Sequence, residues 1–474
     1  MDRRNFIQTT LAGAAGLSLT PPFPARAFGS AYESKRPPVK KRTFVSDAVE
    51  SFITRVKADI HDPELAWLFE NCFPNTLDTT IRYSEINGQP DTFVITGDIP
   101  AMWLRDSTAQ VWPYLSLAGE DPKLKNMLKG VVNRQVNCVL LDPYANAFLF
   151  DKNEKSQWSS DHTLMKPGVH ERKFEVDSLC SVIRLSNGYW KATNDNSVFD
   201  SNWQKAMHSI VEVFRRQQKK HGNNPEYTFM RNSTLPTETL ANDGNGRFVN
   251  PVGLICSPFR PSDDATIFQF LVPSNFYALQ SLRTLNKIYL TLFPTDPFLK
   301  EIQSLENELL SALAQHTVIT HPKMGRMYAY EVDGYGGQVL LDEPNVPSLL
   351  ALPYLGCVQS NDPIFASTRK FIFSTANPYF LKGTAAEGIG SPHTPPSYIW
   401  PLGIIMRGLT AESTLETRNC LQMLKTTHGG TGFMHEGFDK DDPKKFTREW
   451  FSWANSLFGE FVVKVWKQQP ELLG

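Results

Sequence analysis

The sequence has few cysteines, almost no net charge and no long apolar run, and each of these absences excludes a class of protein. Its six cysteines include no Cys-x-x-Cys pair, which fits neither zinc-ligand spacing nor a dense disulfide framework. The 48 basic and 49 acidic residues leave a net charge of −1, so nothing electrostatic favours nucleic acid or an anionic membrane as partner. After residue 27 no segment reaches the length of about 20 apolar residues that a membrane-spanning helix needs. We therefore expect a globular protein with a neutral ligand and no membrane span.

The first 27 residues have the pattern of an export signal. Residues 3–6 (Arg-Arg-Asn-Phe) precede an Ala/Gly-rich stretch, and residues 25–27 (Ala-Arg-Ala) have the form of a cleavage site. We predict export by the twin-arginine route and a periplasmic or secreted mature protein; the alternative is a basic, disordered start of a cytosolic protein. Because such cargo folds before it crosses the membrane, we expect mostly buried free thiols, with one or two disulfides as the alternative.

Apolar residues at three- and four-residue spacing predict a mainly α protein. The helices are expected at residues 47–60, 107–117, 122–139, 175–192, 201–219, 273–292, 297–315, 362–375, 399–409 and 449–466. Strand-like alternation is limited to short pieces such as 91–95 and 327–332. Without a repeat or a low-complexity linker, we predict one domain at residues 43–474, after a basic, proline-containing arm at 28–42.

Long connections rich in glycine, proline and asparagine separate many of these helices. They span residues 232–262, 333–347, 382–397 and 427–445. Connections longer than about 12–15 residues without structure of their own are uncommon unless they are functional. A ring of helix pairs whose loops converge at one opening would gather the polar residues of these connections into one pocket.

Residues 259–265 (Phe-Arg-Pro-Ser-Asp-Asp-Ala) place Asp263 and Asp264 side by side in a proline-fixed turn, next to a possible helix start. Adjacent helical residues point about 100° apart, so only one of the two acids can face a given bond. The other would cap a helix or bind a neighbour, and Arg260 could orient either one. The residues alone leave acid–base catalysis and helix capping both open.

Residues 432–438 (Gly-Phe-Met-His-Glu-Gly-Phe) place Glu436 beside His435 in a glycine-bounded loop. No second histidine follows four residues later, so the metalloprotease pattern His-Glu-x-x-His is absent. Cleaving a glycosidic bond takes one carboxylic acid to protonate the leaving oxygen and one carboxylate to activate water or attack carbon. Two carboxylate-bearing loops therefore suggest a sugar-cleaving site.

A third motif, residues 97–108, contains Trp103, Arg105 and Asp106. Trp103 could stack on a sugar face while Arg105 and Asp106 bind hydroxyls; equally, Asp106 could cap a helix that begins at Ser107. Polar residues among aromatics recur at 342–347 and 391–401. The fingerprints of serine hydrolases, P-loop kinases and dinucleotide oxidoreductases are missing from the sequence.

Together, residues 97–108, 259–264, 342–347 and 432–438 resemble the motifs of glycoside hydrolase family 125. The resemblance implies an (α/α)6 toroid with short β insertions and an exo-acting enzyme that releases α-1,6-linked mannose with inversion. It implies a mannose-containing oligosaccharide or glycan as partner and requires neither metal nor cofactor. By motif, Asp263 corresponds to the general acid and Glu436 to the general base. Substrate contacts are expected at Trp103, Arg105, Asp106, Arg260, Asp264, Asp342, Glu343, Asn345, His393 and His435.

The implied mechanism sets expectations for the two carboxyl groups. An inverting site keeps them about 6.5–9.5 Å apart to admit a water, against about 5–5.5 Å in a retaining site, so we expect the wider separation. The acid must hold its proton at the working pH, which burial or the neighbouring charge of Asp264 would favour. The alternatives are an (α/α)6 exo-glycosidase of another linkage or sugar, a catalytically silent glycan-binding protein, and a redox protein suggested only by the export route.

Overall fold

The computed structural model describes residues 32–474, so the predicted export signal lies outside the described residues. Within them are thirteen α-helices: α1 Asp47–Ala58, α2 Pro63–Cys72, α3 Asn75–Thr79, α4 Leu104–Val111, α5 Pro122–Leu141, α6 Val176–Thr193, α7 Ser201–Gln217, α8 Val272–Leu292, α9 Phe298–His316, α10 Pro363–Ile372, α11 Pro401–Leu409, α12 Thr414–Thr426 and α13 Ser452–Gln468. Every predicted helical segment overlaps one of them, whereas α2, α3 and α12 were not predicted.

Three helices begin with the same local signal. In α2, α5 and α10 an aspartate precedes a proline, and its carboxylate accepts hydrogen bonds from the next two free amides. The aspartate satisfies amides that lack a partner within the helix, and proline fits the first helical position because it needs no amide bond there. These pairs therefore fix where the three helices start.

The helices alternate between an inner and an outer series. In the inner series α4 packs against α6 and α13, α6 against α8, and α11 against α13. The buried segment 349–352 follows α9 in the chain and precedes α10. In the outer series α2 packs on α13, α5 on α6, α9 on α8 and α12 on α11. This is the (α/α)6 arrangement, and the prediction of a mainly α fold of this class is confirmed.

Short strands join the loops at the helix ends: β1 Ile81–Ile86, β2 Gln89–Val94, β3 Met102–Trp103, β4 Ala147–Phe148, β5 Val169–Glu171, β6 Phe270–Leu271, β7 Val318–His321, β8 Gly325–Tyr328, β9 Glu331–Val332, β10 Gln338–Val339, β11 Phe380–Lys382, β12 Glu387–Ile389, β13 Tyr398–Ile399, β14 Gly437–Asp439 and β15 Phe446–Thr447. Antiparallel hairpins form from β1–β2, β7–β8 and β11–β12. Three-stranded sheets form in the orders β3-β4-β5, β10-β9-β6 and β13-β14-β15. Each of these three sheets joins connections that are far apart in the sequence.

The N-terminal ends of four inner helices meet at one place. Arg105 lies in the first turn of α4, and Asp177 lies in the first turn of α6. Asp177 accepts from Ser274 near the start of α8, and the Arg105 guanidinium lies 5.7 Å from the ring of Trp453 at the start of α13. Helix N-terminal ends carry partial positive charge, which favours carboxylates there. The architecture therefore supplies a site for acidic side chains.

Residues Ser34–Gly474 form one compact unit, which includes part of the predicted basic arm. The Arg36 side chain is 5% exposed and forms ion pairs with Glu50 of α1 and Asp78 of α3. The six cysteines are unpaired, and five of them are buried. No helix within residues 32–474 has the length and apolar character needed to cross a membrane.

Candidate active site

The loop with Asp263 and Asp264 is a tight turn, not the start of a helix as predicted. Arg260 N donates to Asp264 O at 2.8 Å and Asp263 N donates to Arg260 O at 2.9 Å, while the next helix begins only at Val272. Asp263 has φ +66°, a left-handed conformation that is uncommon for a residue with a side chain. The Lys173 ammonium donates to the Asp263 carbonyl at 2.8 Å and so fixes this backbone.

The turn gives its two acids different surroundings. The Asp263 side chain is 19% exposed, whereas that of Asp264 is 2% exposed. Asp264 Oδ1 lies 3.3 Å from His393 Nδ1, and Asn146 Nδ2 donates to Asp263 Oδ1 at 3.4 Å. Asp263 is therefore the acid that a ligand can reach.

Arg105 holds a cluster of acidic side chains. Its Nη1 donates to Glu175 and, at 2.9 Å, to Asp177; Nη2 lies 3.9 Å from Asp263. Its Nε lies 3.7 Å from Asp106 Oδ2. One positive charge thus faces four carboxyl groups, all but Asp263 buried, so full ionisation of the cluster would be costly.

Two pKa values in this cluster reflect that cost. Burial is the largest cause raising the pKa of Asp106 to about 6, with Arg105 opposing and Asp263 adding to the rise. Burial also raises the pKa of Glu175, where Arg105 again opposes while the charges of Asp177 and Asp263 and a hydrogen bond to Asp263 reinforce the rise. Burial consequently favours the neutral form of both groups beside Asp263.

The alternative that Asp106 caps a helix starting at Ser107 is wrong. Helix α4 begins three residues earlier, at Leu104, with Trp103 as its N-cap residue and no side-chain cap. Asp106 therefore lies inside the first turn, where its Oδ2 is buried and has no hydrogen-bond partner among residues 32–474.

Glu436 lies in the loop directly before β14, and its side chain is 10% exposed. Its carboxylate Oε1 is 3.7 Å from Arg448 Nη1. Arg448 is held in place by Asp98, at 2.9 Å from Nε, and by Thr96 Oγ1 at 3.2 Å. Burial opposes the charge of Arg448, but the negative charges of Glu436 and Asp98 raise its pKa overall. Glu436 therefore has a fixed cation beside it.

Asp106 connects the two carboxylate loops. The charges of Arg105, Asp263 and Arg448 all act on its carboxyl group. Since Arg105 neighbours Asp263 and Arg448 neighbours Glu436, the predicted acid and the predicted base belong to one network of charged groups.

His435, the neighbour of Glu436, braces the loop. Its ring stacks on Phe446 at 3.7 Å; Nε2 lies 3.0 Å from Thr431 Oγ1 and Nδ1 lies 3.2 Å from Arg448 O. Burial is the largest cause lowering the pKa of His435. These contacts use both ring nitrogens within the protein.

Arg260 organises a second polar layer beneath the turn. It donates to Glu331 at 2.6 Å and to Glu343 at 2.5 Å. The other Glu331 oxygen accepts from the amides of Ile267 and Phe268, each at 2.9 Å, in the chain just after Asp264. Arg260 and Glu331 thereby anchor the loop that carries both acids.

Asp342 and Asn345 occupy the loop after β10. Asp342 is fully buried and accepts from the amides of Leu349 and Leu350 at 2.8 and 3.0 Å, and burial raises its pKa to about 8. Asn345 Nδ2 is buried and has no hydrogen-bond partner in the described part of the chain. Asp342 thus holds the loop, while a substrate contact by either residue stays a prediction.

Trp103 is largely enclosed by its own sheet. It is 6% exposed and packs with Ala101 and Ala147. Its ring meets the ring of His170, on β5, edge to face at 5.5 Å. Stacking of Trp103 on a sugar also stays a prediction.

Several residues of this site were not predicted from the sequence: Asn146, His170, Lys173, Glu175, Asp177, Glu331 and Arg448. Four of these seven side chains could have been noticed, because they lie in one stretch. Residues 170–177 read His-Glu-Arg-Lys-Phe-Glu-Val-Asp and run into the start of a buried helix. Charged residues at that density beside apolar helix are costly to bury without a partner. Arg448 carries no comparable signal.

Within residues 32–474, no three His, Cys, Asp or Glu side chains are grouped so that they could hold a metal ion. The site is built from carboxylates, arginines and neutral polar groups.

Two comparisons with known proteins give the same family, and a third gives a similar curated protein. Residues 62–463 match the family of metal-independent α-mannosidases, GH125. The Schizosaccharomyces pombe protein named meiotically up-regulated gene 157 protein is 42% identical over 456 residues, which cover 93% of this chain and 89% of that protein. A metal-independent α-mannosidase structure from Streptococcus pneumoniae, in a non-productive complex with α-1,6-mannobiose, is 41% identical with a TM-score of 0.86; the match covers 90% of this chain and all of that one. The chain therefore belongs to the metal-independent α-mannosidases of glycoside hydrolase family 125, and it is a glycoside hydrolase.

Proposed function

We propose that this protein is an exo-acting, inverting α-1,6-mannosidase with Asp263 as general acid and Glu436 as general base. The observation that carries the proposal is the accessibility of these two carboxylates, 19% and 10%, in a network whose other acids are more buried, apart from Asp98, which is paired with Arg448. The side chains of Asp106, Asp264, Glu175 and Asp177 are each 7% exposed or less. The α-1,6-mannobiose bound by the pneumococcal relative supports the choice of linkage.

In the proposed reaction Asp263 gives its proton to the glycosidic oxygen as the bond from that oxygen to the anomeric carbon breaks. The bonding electrons pass to the leaving oxygen, and a water attacks the anomeric carbon from the opposite face while Glu436 takes its proton. Arg448 stabilises negative charge on Glu436 before that step. Asp263 lies beside Arg105, whereas Glu436 lies beside Arg448. These separate neighbours support a site in which a water enters between the two carboxyl groups.

Two buried polar atoms support binding of a hydroxyl-rich ligand. Asp106 Oδ2 and Asn345 Nδ2 lack hydrogen-bond partners within residues 32–474. Leaving a buried donor or acceptor unpaired costs about 1–3 kcal/mol, which a sugar hydroxyl would offset because it both donates and accepts. Four of the predicted contact residues would instead hold the Asp263 turn in place from beneath, namely Arg260, Asp264, Glu343 and His393.

The roles of the two carboxylates are tested with Asp263→Asn and Glu436→Gln, assayed by release of free mannose from α-1,6-mannobiose. Each should lower kcat by about 10²- to 10⁴-fold, the usual contribution of a positioned acid or base. Asp264→Asn is the matched control, since it makes the same change one residue away and keeps a partner for His393. Its kcat should fall much less. If Asp264→Asn were the more damaged variant, Asp263 would not be the acid.

The linkage and the sugar are tested with a panel of α-1,6-, α-1,3- and α-1,2-mannobiose and the α-1,6-linked glucose disaccharide. Selective cleavage of α-1,6-mannobiose is expected. Preference for another member would mean an exo-glycosidase of different specificity on the same fold. Binding of mannobiose without any release would mean a glycan-binding protein.

We also propose export by the twin-arginine route, supported by residues 3–6 and 25–27. Changing Arg3 and Arg4 to lysine keeps the charge but removes the paired arginines. The full chain should then remain inside bacterial cells that otherwise export it, while the control Arg26→Lys should still be exported. Equal export of both variants would contradict the proposal.

A further inference from the structure

His170 is a buried histidine whose two ring nitrogens have no hydrogen-bond partner among residues 32–474. The residue is 4% exposed, and its ring contacts Trp103 edge to face. Buried side-chain nitrogens in proteins nearly always have a partner, so an imidazole with both unpaired calls for an explanation. A packing role alone would be served better by an apolar side chain.

The ring is held firmly where it is. His170 is the middle residue of β5, which pairs with β4 through Val169 and Glu171 on either side of it. The neighbouring strand β3 contributes Trp103 and pairs with the other edge of β4. This sheet fixes the position of the ring.

His170 lies on the acid side of the site. The charges of Glu171 and Asp263 act on the ring, and Asn146 links the same two carboxylates by donating to Glu171 at 3.0 Å and to Asp263 at 3.4 Å. Burial is the largest cause lowering the pKa of His170, and those two negative charges oppose it. A neutral imidazole offers one donor and one acceptor, which matches a pair of sugar hydroxyls.

We propose that His170 binds hydroxyls of the sugar on the leaving-group side of the cleaved bond, and so makes the enzyme select a disaccharide over a mannoside without a second sugar. The inference rests on the proposed function, because it takes Asp263 as the acid. The acid protonates the oxygen that departs with the leaving group, whereas the base acts on the opposite face of the cleaved mannose. A side chain beside the acid therefore meets the departing sugar.

The test compares α-1,6-mannobiose with dinitrophenyl α-mannoside, whose leaving group has no hydroxyls and needs no protonation. Replacing His170 by leucine should lower kcat/KM for mannobiose by about 10- to 100-fold, as expected for two lost hydrogen bonds. For the aryl mannoside kcat/KM should stay within about 2-fold of wild type. His170→Gln keeps a donor and an acceptor and should recover part of the lost activity.

His162→Leu is the matched control, because this exposed histidine lies in the connection before β5. It should leave both substrates unaffected. A thermal melt of each variant separates misfolding from loss of binding, and His170→Gln supplies a second, milder change if the leucine variant folds poorly.

If His170→Leu lowered kcat/KM equally for the two substrates, the inference would be overturned, since the ring would then act on the cleaved mannose or on the shape of the site. Unchanged activity on both would overturn it as well and make His170 a core residue. Failure of the wild-type enzyme to release mannose from α-1,6-mannobiose would instead contradict the proposed function, whatever the His170 variants do.

Discussion

Lys173→Met tests whether the conformation of the acid loop is imposed by a buried ammonium. Lys173 is fully buried and donates to the carbonyl of Asp263 at 2.8 Å and to Glu238 at 3.2 Å. Removing it leaves that carbonyl without its charged donor. Arg231 still pairs with Glu171 and with Glu238, each at 2.8 Å, so the two glutamates keep a partner.

The expected cost follows from these contacts. A hydrogen bond from a charged group contributes about 1.5–3 kcal/mol, so the free energy of unfolding should fall by about that amount. The left-handed conformation of Asp263 costs a residue with a side chain about 1–2 kcal/mol. Without Lys173 the backbone can relax towards an ordinary conformation and displace the carboxyl group. A comparable loss of transition-state stabilisation lowers kcat by about 10-fold or more.

The assay is kcat on α-1,6-mannobiose together with chemical denaturation of the same samples. Lys219→Met is the matched control, because Lys219 is also buried and donates to a carbonyl, that of Asn245 at 2.9 Å, away from the Asp263 turn. It should lose similar stability while keeping kcat within about 3-fold. Equal effects of the two variants on kcat would refute the reasoning that Lys173 acts through Asp263.

Three further predictions concern pH, metal and the N-terminal segment. Burial raises the pKa of Asp342 to about 8 in the folded protein. Between about pH 4 and pH 8 the folded protein therefore keeps a proton on this carboxyl group that the unfolded chain loses. As a result, Asp342 makes the free energy of unfolding fall as the pH rises over this range. Asp342→Asn cannot ionise; its melting temperature relative to wild type should therefore rise over that range, and a constant difference would contradict this. Activity should survive excess EDTA, and a loss restored by calcium would reveal a metal site. Among residues 32–474, Arg36→Met leaves the buried Asp78 carboxylate with the longer, 3.4 Å contact to Arg42 as its ion pair. The free energy of unfolding in urea should therefore fall by about 3 kcal/mol. Arg216→Met, at a more exposed pair, should cost about 0.5 kcal/mol or less, and similar losses in both would be unexpected.

Much of the fold follows from local sequence signals. Apolar spacing located ten of the helices because each buries one face against its neighbours. Helix α2 was missed although it starts with Asp62-Pro63, the same signal that starts α5 and α10. Helix α12 was missed because its buried residues are few, namely Thr417, Cys420, Leu421 and Leu424. A weakly apolar outer helix leaves little periodic pattern to detect.

The site was predictable only where residues of one motif act together. The motifs supplied Asp263, Glu436, Arg105 and Arg260 because each lies in a short stretch whose residue types suggest chemistry. Glu331 and Arg448 became visible only once folding brought Glu331 beside Arg260 and Arg448 beside Asp98. Likewise, the left-handed turn at Asp263 could not be read from a sequence that favoured a helix start there. Pairings across long sequence separations are set by packing, and local patterns do not encode them.

The most direct test of the account is to follow α-1,6-mannobiose hydrolysis by proton NMR with fresh enzyme, before the released mannose equilibrates between its anomers. An acid at Asp263 and a base at Glu436 with a water between them predict that β-mannose appears first. Early α-mannose would mean retention of configuration and would contradict the assignment of Glu436 as a base that activates water.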